Sequence, residues 1–165
     1  MFTSPSPESF YSYEIFDEIL EYEINRMRRS PCPITLLKAI FTPSDHSPVV
    51  EEALKSTVFA FIKSHMRITD IATRLDNAYF IMLPMTKQEG ARVVGGRLVK
   101  LFSSPIHAGP EIAFDVTSKI GMGSFDAGEP TSRNGLYLIA SEALKLALLA
   151  GAETNLVALP KRQKP

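Results

Sequence analysis

Arg67-Ile68-Thr69-Asp70 sets a guanidinium and a carboxylate three residues apart, and Asp76 follows with five residues between. A guanidinium fork pairs with a phosphate or with the O6/N7 edge of guanine. A carboxylate accepts from the guanine N1–H and N2–H₂ edge, which no other base presents in that form. With nine Arg and six Asp in 165 residues, Arg-x-x-Asp arises by chance about 0.3 times. The competing structural account is a surface ion pair between Arg67 and Asp70, worth about 0–1 kcal/mol. Arg74 either supports the same ligand or pairs with a nearby acid. Asp45 and Asp76 are the carboxylates in loops, where Asp is common for backbone reasons alone. Phosphoryl transfer needs carboxylates facing one another around metal.

The composition narrows the setting. Lys plus Arg and Asp plus Glu are both 18, so no global charge draws the chain to nucleic acid or anionic membrane. Cys32 is the sole cysteine, which excludes an internal disulfide and a cysteine zinc site. His46, His65 and His107 share no ligand spacing, so no metal or other cofactor is expected. No uncharged apolar run reaches the roughly 18 residues of a membrane span. The N-terminus lacks the basic and apolar regions of a signal peptide. A cytoplasmic domain is expected.

Those side chains need elements to hold them. Residues 1–10 and 161–165 read as flexible tails around one domain at 11–160. Apolar spacing and acid-first, base-last order predict a helix over Tyr13–Arg29. Ile34–Phe41 reads as a buried strand. Ser47 and Pro48 open a helix to about His65. Ile68–Leu75 and Ala78–Leu83 flank Asp76-Asn77 as a hairpin that Pro84 ends. Thr86 and Glu89 make a capping box for a helix to about Phe102, with Ala91, Val94, Leu98 and Leu101 inward. Gly95-Gly96 in that helix costs about 1 kcal/mol per glycine against alanine. Close approach of a ligand or backbone, or helix packing, would account for the pair. Ser103–Pro110 is expected as loop, Ile112–Met122 as strand and Gly123–Asn134 as polar loop. Leu136–Ala150 reads as a helix ended by Gly151, and Asn155–Leu159 as an edge strand. The order α-βαββαβ-αβ predicts an α/β sandwich with a mainly antiparallel sheet flanked by helices.

This order, with Arg67-Ile68-Thr69-Asp70, Arg74-Leu75, Phe80 to Thr86, Glu89-Gly90-Ala91, Lys119 to Met122 and Ala140 to Leu144, resembles the GGDEF domain family. Those are the diguanylate cyclases of bacterial signalling. The resemblance spans Phe16 to Leu159 and implies the nucleotidyl-cyclase-like, ferredoxin-like palm. It also implies a degenerate active site. Counted forward from Arg74, the family's Gly-Gly-acid-acid-Phe falls on Asp76, Asn77, Ala78, Tyr79 and Phe80. Counted back from Pro84, the acids fall on Asn77 and Ala78. The family's second metal carboxylate falls among Ala39-Ile40-Phe41, its guanine-reading Asn is gone, and its phosphate-binding Lys falls on Leu148. No catalytic residue is therefore expected.

The resemblance leaves one feature intact, an inhibitory site for cyclic di-GMP. It implies that Arg67, Asp70 and Arg97 bind this nucleotide, with Arg74 in possible support; Arg97 stands 13 residues after Pro84, at the family's helix position. The expected function is a catalytically inactive receptor that relays cyclic di-GMP to a signalling protein partner, with a ligand-linked homodimer plausible. The alternative is a nucleotide-independent interaction module that kept the fold. An active cyclase is the third reading, tested by pyrophosphate release from GTP.

Overall fold

The computed structural model describes residues 10–152 and 154–159. Of the tails expected at 1–10 and 161–165, all but Phe10 lie outside them. Five strands form one sheet in the order β2-β3-β1-β6-β7. They are β1 (Ile34–Pro43), β2 (Ile71–Leu75), β3 (Ala78–Pro84), β6 (Val116–Phe125) and β7 (Leu156–Ala158). A separate two-stranded ribbon joins β4 (Ile106–His107) to β5 (Ala113–Phe114). All pairings in the main sheet are antiparallel except β6 with β7. The helices are α1 (Tyr13–Arg29), α2 (Pro48–His65), α3 (Gln88–Leu101) and α4 (Arg133–Leu149).

The sheet is buried on both faces, and strand alternation assigns each side chain to a layer. Tyr79, Ile81 and Leu83 point to α2 and α3, together with Leu37, Ala39 and Phe41. Ala78, Phe80 and Met82 point the other way, to α1 and α4, with Phe16, Leu20 and Ile24 beneath them. Consequently β3 is buried along its whole length. Two β6 glycines let α4 sit close. A Cβ at Gly121 would collide with the backbone of Ala140 and Leu144, and one at Gly123 would lie 2.8 Å from the Leu136 carbonyl.

Several local expectations are corrected. β2 begins at Ile71 rather than Ile68, because residues 67–70 turn and leave Ile68 99% exposed. β3 runs through Pro84 rather than stopping before it, paired with Ile34. Lys87, not Thr86, is the N-cap of α3; the Thr86 hydroxyl donates instead to the Pro84 carbonyl at 2.9 Å. Residues expected as loop hold β4, and β6 extends through Gly123 to Phe125. Ser132 caps α4 through the Gly135 N–H, so that helix starts earlier than Leu136.

Candidate functional site

Asp70 and Asp76 sit at opposite ends of β2, and the two ends differ. At the first, the Asp70 N–H donates to the Arg67 carbonyl at 3.0 Å, and the Arg67 N–H donates to Asp70 Oδ2 at 2.9 Å. The pair closes a tight turn through backbone groups. No side-chain ion pair joins Arg67 to Asp70 among the described residues, so the surface ion pair of the competing structural account does not form. The Arg67 guanidinium is exposed, with no hydrogen bond or ion pair among the described residues. Asp70 Oδ1 is buried without a hydrogen-bond partner. Burial pushes the Asp70 carboxyl above its ordinary value of 3.8, and the Arg67 N–H pulls the other way.

Arg67 and Asp70 open into a cleft of about 400 Å³ with apolar walls that include Phe10, Ile62, Met66 and Ile71. Phe10 belongs to the stretch expected as a flexible tail. Its ring meets Phe59 at 4.9 Å and Tyr79 at 6.0 Å, edge-on in both cases. Tyr11 then pairs with Thr73 as a short parallel bridge on the outer edge of β2. The Thr73 hydroxyl donates to the Tyr11 carbonyl at 2.7 Å. Spacing gave no sign of this strap, because its partners lie more than 40 residues away in the chain.

Arg97 is exposed on α3 and is not among the residues lining that cleft. The paired glycines before it separate in role. A Cβ at Gly95 would lie 2.8 Å from Leu156 Cδ1, so this residue is small for packing against β7. Gly96 has nothing within 4 Å. Arg74 lies over the Tyr79 ring at 5.6 Å and lines a second cleft of about 520 Å³ with Glu52 and Lys55. It is not in the Arg67 cleft.

At the other end of β2, Leu75 pairs with Ala78, so Asp76-Asn77 is a two-residue turn. Asp76 takes φ 53°, a conformation that Asp tolerates. Ala78 and Tyr79 are both buried, on opposite faces of β3. Burial pushes the Tyr79 phenol up, while the neighbouring Arg74 charge pulls it down. Ala78, Asp76 and Asn77 line a cleft of about 280 Å³ against α4, with Lys38, Ser141 and Leu148. Lys38 donates to the Ser141 hydroxyl at 3.2 Å. Asp45 stands elsewhere: its Oδ1 accepts the Ser47 N–H at 3.1 Å, a local turn before α2. Among the described residues, no three His, Cys, Asp or Glu side chains form a group that could hold a metal ion. Nor, among them, is any helix long and apolar enough to cross a membrane.

Searches against protein-family models and against curated proteins return no match. Solved structures do match. The GGDEF domain of FimX from Pseudomonas aeruginosa superposes with TM-score 0.78 at 15% identity, over 91% of this chain and 96% of that one. The GGDEF domain of YfiN (TpbB) from the same organism gives 0.72 at 17% identity, over 93% and 99%. The GGDEF domain of DgcB from Caulobacter crescentus, solved in complex with c-di-GMP, gives 0.73 at 14% identity, over 96% of each chain. Layer order, sheet topology and these superpositions agree: the chain has the GGDEF-domain fold.

Proposed function

We propose that this chain is a catalytically silent GGDEF-like domain that binds cyclic di-GMP at the Arg67–Asp70 turn and passes its occupancy to a protein partner. The observation that carries the reading is the turn itself. Backbone contacts fix its shape, leaving the Arg67 guanidinium and Asp70 Oδ1 unspent beside an apolar-walled cleft. An unpaired buried oxygen costs about 1–3 kcal/mol, which a ligand donor that displaces its cover would recover. Guanine offers such donors, the phosphates of the dinucleotide suit the guanidinium, and the base's ring face suits the cleft wall. The bound c-di-GMP in the DgcB structure supports this choice of nucleotide. Arg97 and Arg74 are assigned to the second guanine or to phosphate, reached from outside the cleft.

Catalytic silence is supported at the hairpin. A divalent cation for phosphoryl transfer needs carboxylate or carbonyl oxygens converging on it. The positions after the turn offer the methyl of Ala78 and the buried ring of Tyr79, and the facing β1 offers Ala39. These residues do not fit the metal. Incubating the chain with GTP and Mg²⁺ or Mn²⁺ should release no pyrophosphate; release at a steady rate would overturn this part. For binding, the test is calorimetric titration of cyclic di-GMP with Arg67→Ala in parallel.

A second reading rests on α4. Leu138, Leu146, Leu148 and Leu149 are exposed along that helix, Leu149 at 85%. A nucleotide-independent interaction module would use this face. It takes precedence if the titration shows no binding.

A further inference from the structure

The Phe10–Tyr11 strap lies where ligand and fold meet. Phe10 lines the Arg67/Asp70 cleft and also the neighbouring cleft that holds Arg74, so its ring divides the two. It is held edge-on by Phe59 and Tyr79, and Tyr11 is held by Thr73. Ser12 comes next and caps α1: its hydroxyl accepts the Ile15 N–H at 3.3 Å and its carbonyl the Phe16 N–H at 3.0 Å. Nothing separates the strap from the first turn of α1.

Resting on the nucleotide reading above, we infer that the strap docked on β2 is a wall of the cyclic di-GMP site and that it carries occupancy into the start of α1. The Phe10 ring supplies apolar surface against which a purine packs beside the Arg67 fork. Binding and docking are then reciprocal. Whatever factor a docked strap adds to nucleotide affinity, nucleotide adds to strap docking. Arg67 is a contact residue in this scheme, whereas Thr73 is a positioning residue that acts through Tyr11.

The test uses the whole 165-residue chain and cyclic di-GMP itself. Phe10→Ala should weaken binding about tenfold, and Phe10→Tyr should restore it to within about twofold. Thr73→Val keeps side-chain shape, removes the hydroxyl bond to Tyr11, and should weaken binding about fivefold with the thermal midpoint checked alongside. Hydrogen exchange of the amides at 10–13 should slow by a similar factor on adding nucleotide, and not in Arg67→Ala. Wild-type binding that is lost in Arg67→Ala but unchanged in Phe10→Ala and Thr73→Val, with exchange at 10–13 unaltered, overturns the strap and leaves the receptor reading standing. No binding by the wild type, or equal binding by Arg67→Ala, overturns the receptor reading and the strap with it.

Discussion

The two ends of β2 are separated by five residues and have been settled by opposite physics. At the Asp76-Asn77 end, the residues that follow the turn are buried in two cores: Ala78 against α1 and α4, Tyr79 against α2. Packing dominates there, with the Arg74 guanidinium lying over the Tyr79 ring at 5.6 Å. At the Arg67–Asp70 end, packing is thin, Ile68 stands in solvent, and the Arg67 guanidinium and Asp70 Oδ1 have no hydrogen-bond partner among the described residues. A strand end filled with apolar side chains serves stability. On the proposed function, the Arg67–Asp70 end, with its exposed guanidinium, is the one that meets a ligand. One strand thus carries both outcomes, and substitutions at its two ends should fail in different ways.

The largest effect is expected on the packed side. Tyr79→Ala removes a ring buried to 4% exposure and in contact with Phe41, Phe10 and the Arg74 guanidinium. It should cost about 3–5 kcal/mol, lowering the thermal midpoint by about 10 °C. Arg67→Ala should move that midpoint by only about 1–2 °C, since exposed substitutions lie within about 0.5 kcal/mol. Equal losses from the two would dissolve the contrast.

A smaller effect concerns acid. Burial holds the folded-state pKa of Asp70 above its ordinary value of 3.8. The folded chain therefore binds this proton more tightly than the unfolded chain does. The charged carboxylate is a penalty on stability that is present above the raised pKa and disappears as pH falls through it. Asp70→Asn removes the penalty, so wild type should gain stability relative to Asp70→Asn on acidification. Ligand binding has the opposite slope, because guanine N–H groups prefer the ionised acceptor. Cyclic di-GMP affinity should fall about tenfold as Asp70 protonates, and the slope should flatten in Asp70→Asn. Denaturant titrations and calorimetry at several pH values would check both signs.

The smallest effect isolates the α3 glycines. A Cβ at Gly96 meets nothing within 4 Å, so Gly96→Ala should stabilise the chain by about 0.5–1 kcal/mol without altering nucleotide affinity. Loss of binding would show that a ligand approaches the backbone at Gly96. Gly95→Ala should be less favourable, since Leu156 must move aside.

Helices α1 and α2 were legible because their apolar residues repeat at helical spacing and their ends carry the expected charges and caps. The mainly antiparallel α/β sandwich is legible in the element order and the resemblance, whereas the strand order β2-β3-β1-β6-β7 leaves no local pattern. β2 is three residues shorter than its residue pattern predicts, because Ile68 and Thr69 have strand character while the Arg67–Asp70 hydrogen bonds turn the chain there. The β4–β5 ribbon, with two residues per strand, is too short to leave a periodic signal. Gly123 in β6 looks like the start of a loop until α4 is placed upon it. At the candidate site, Arg67 and Asp70 were visible as a motif, yet their backbone-closed turn was not. Phe10, Tyr11 and Thr73 were invisible as a unit, because a bridge spanning 62 residues has no local signature.

The most direct test of the account is calorimetric titration of cyclic di-GMP into the purified chain, with Arg67→Ala beside it. The account predicts micromolar or tighter binding by the wild type, absent in the variant, with both proteins melting at nearly the same temperature. No heat at high protein concentration and at two temperatures, or equal binding by Arg67→Ala, would contradict it.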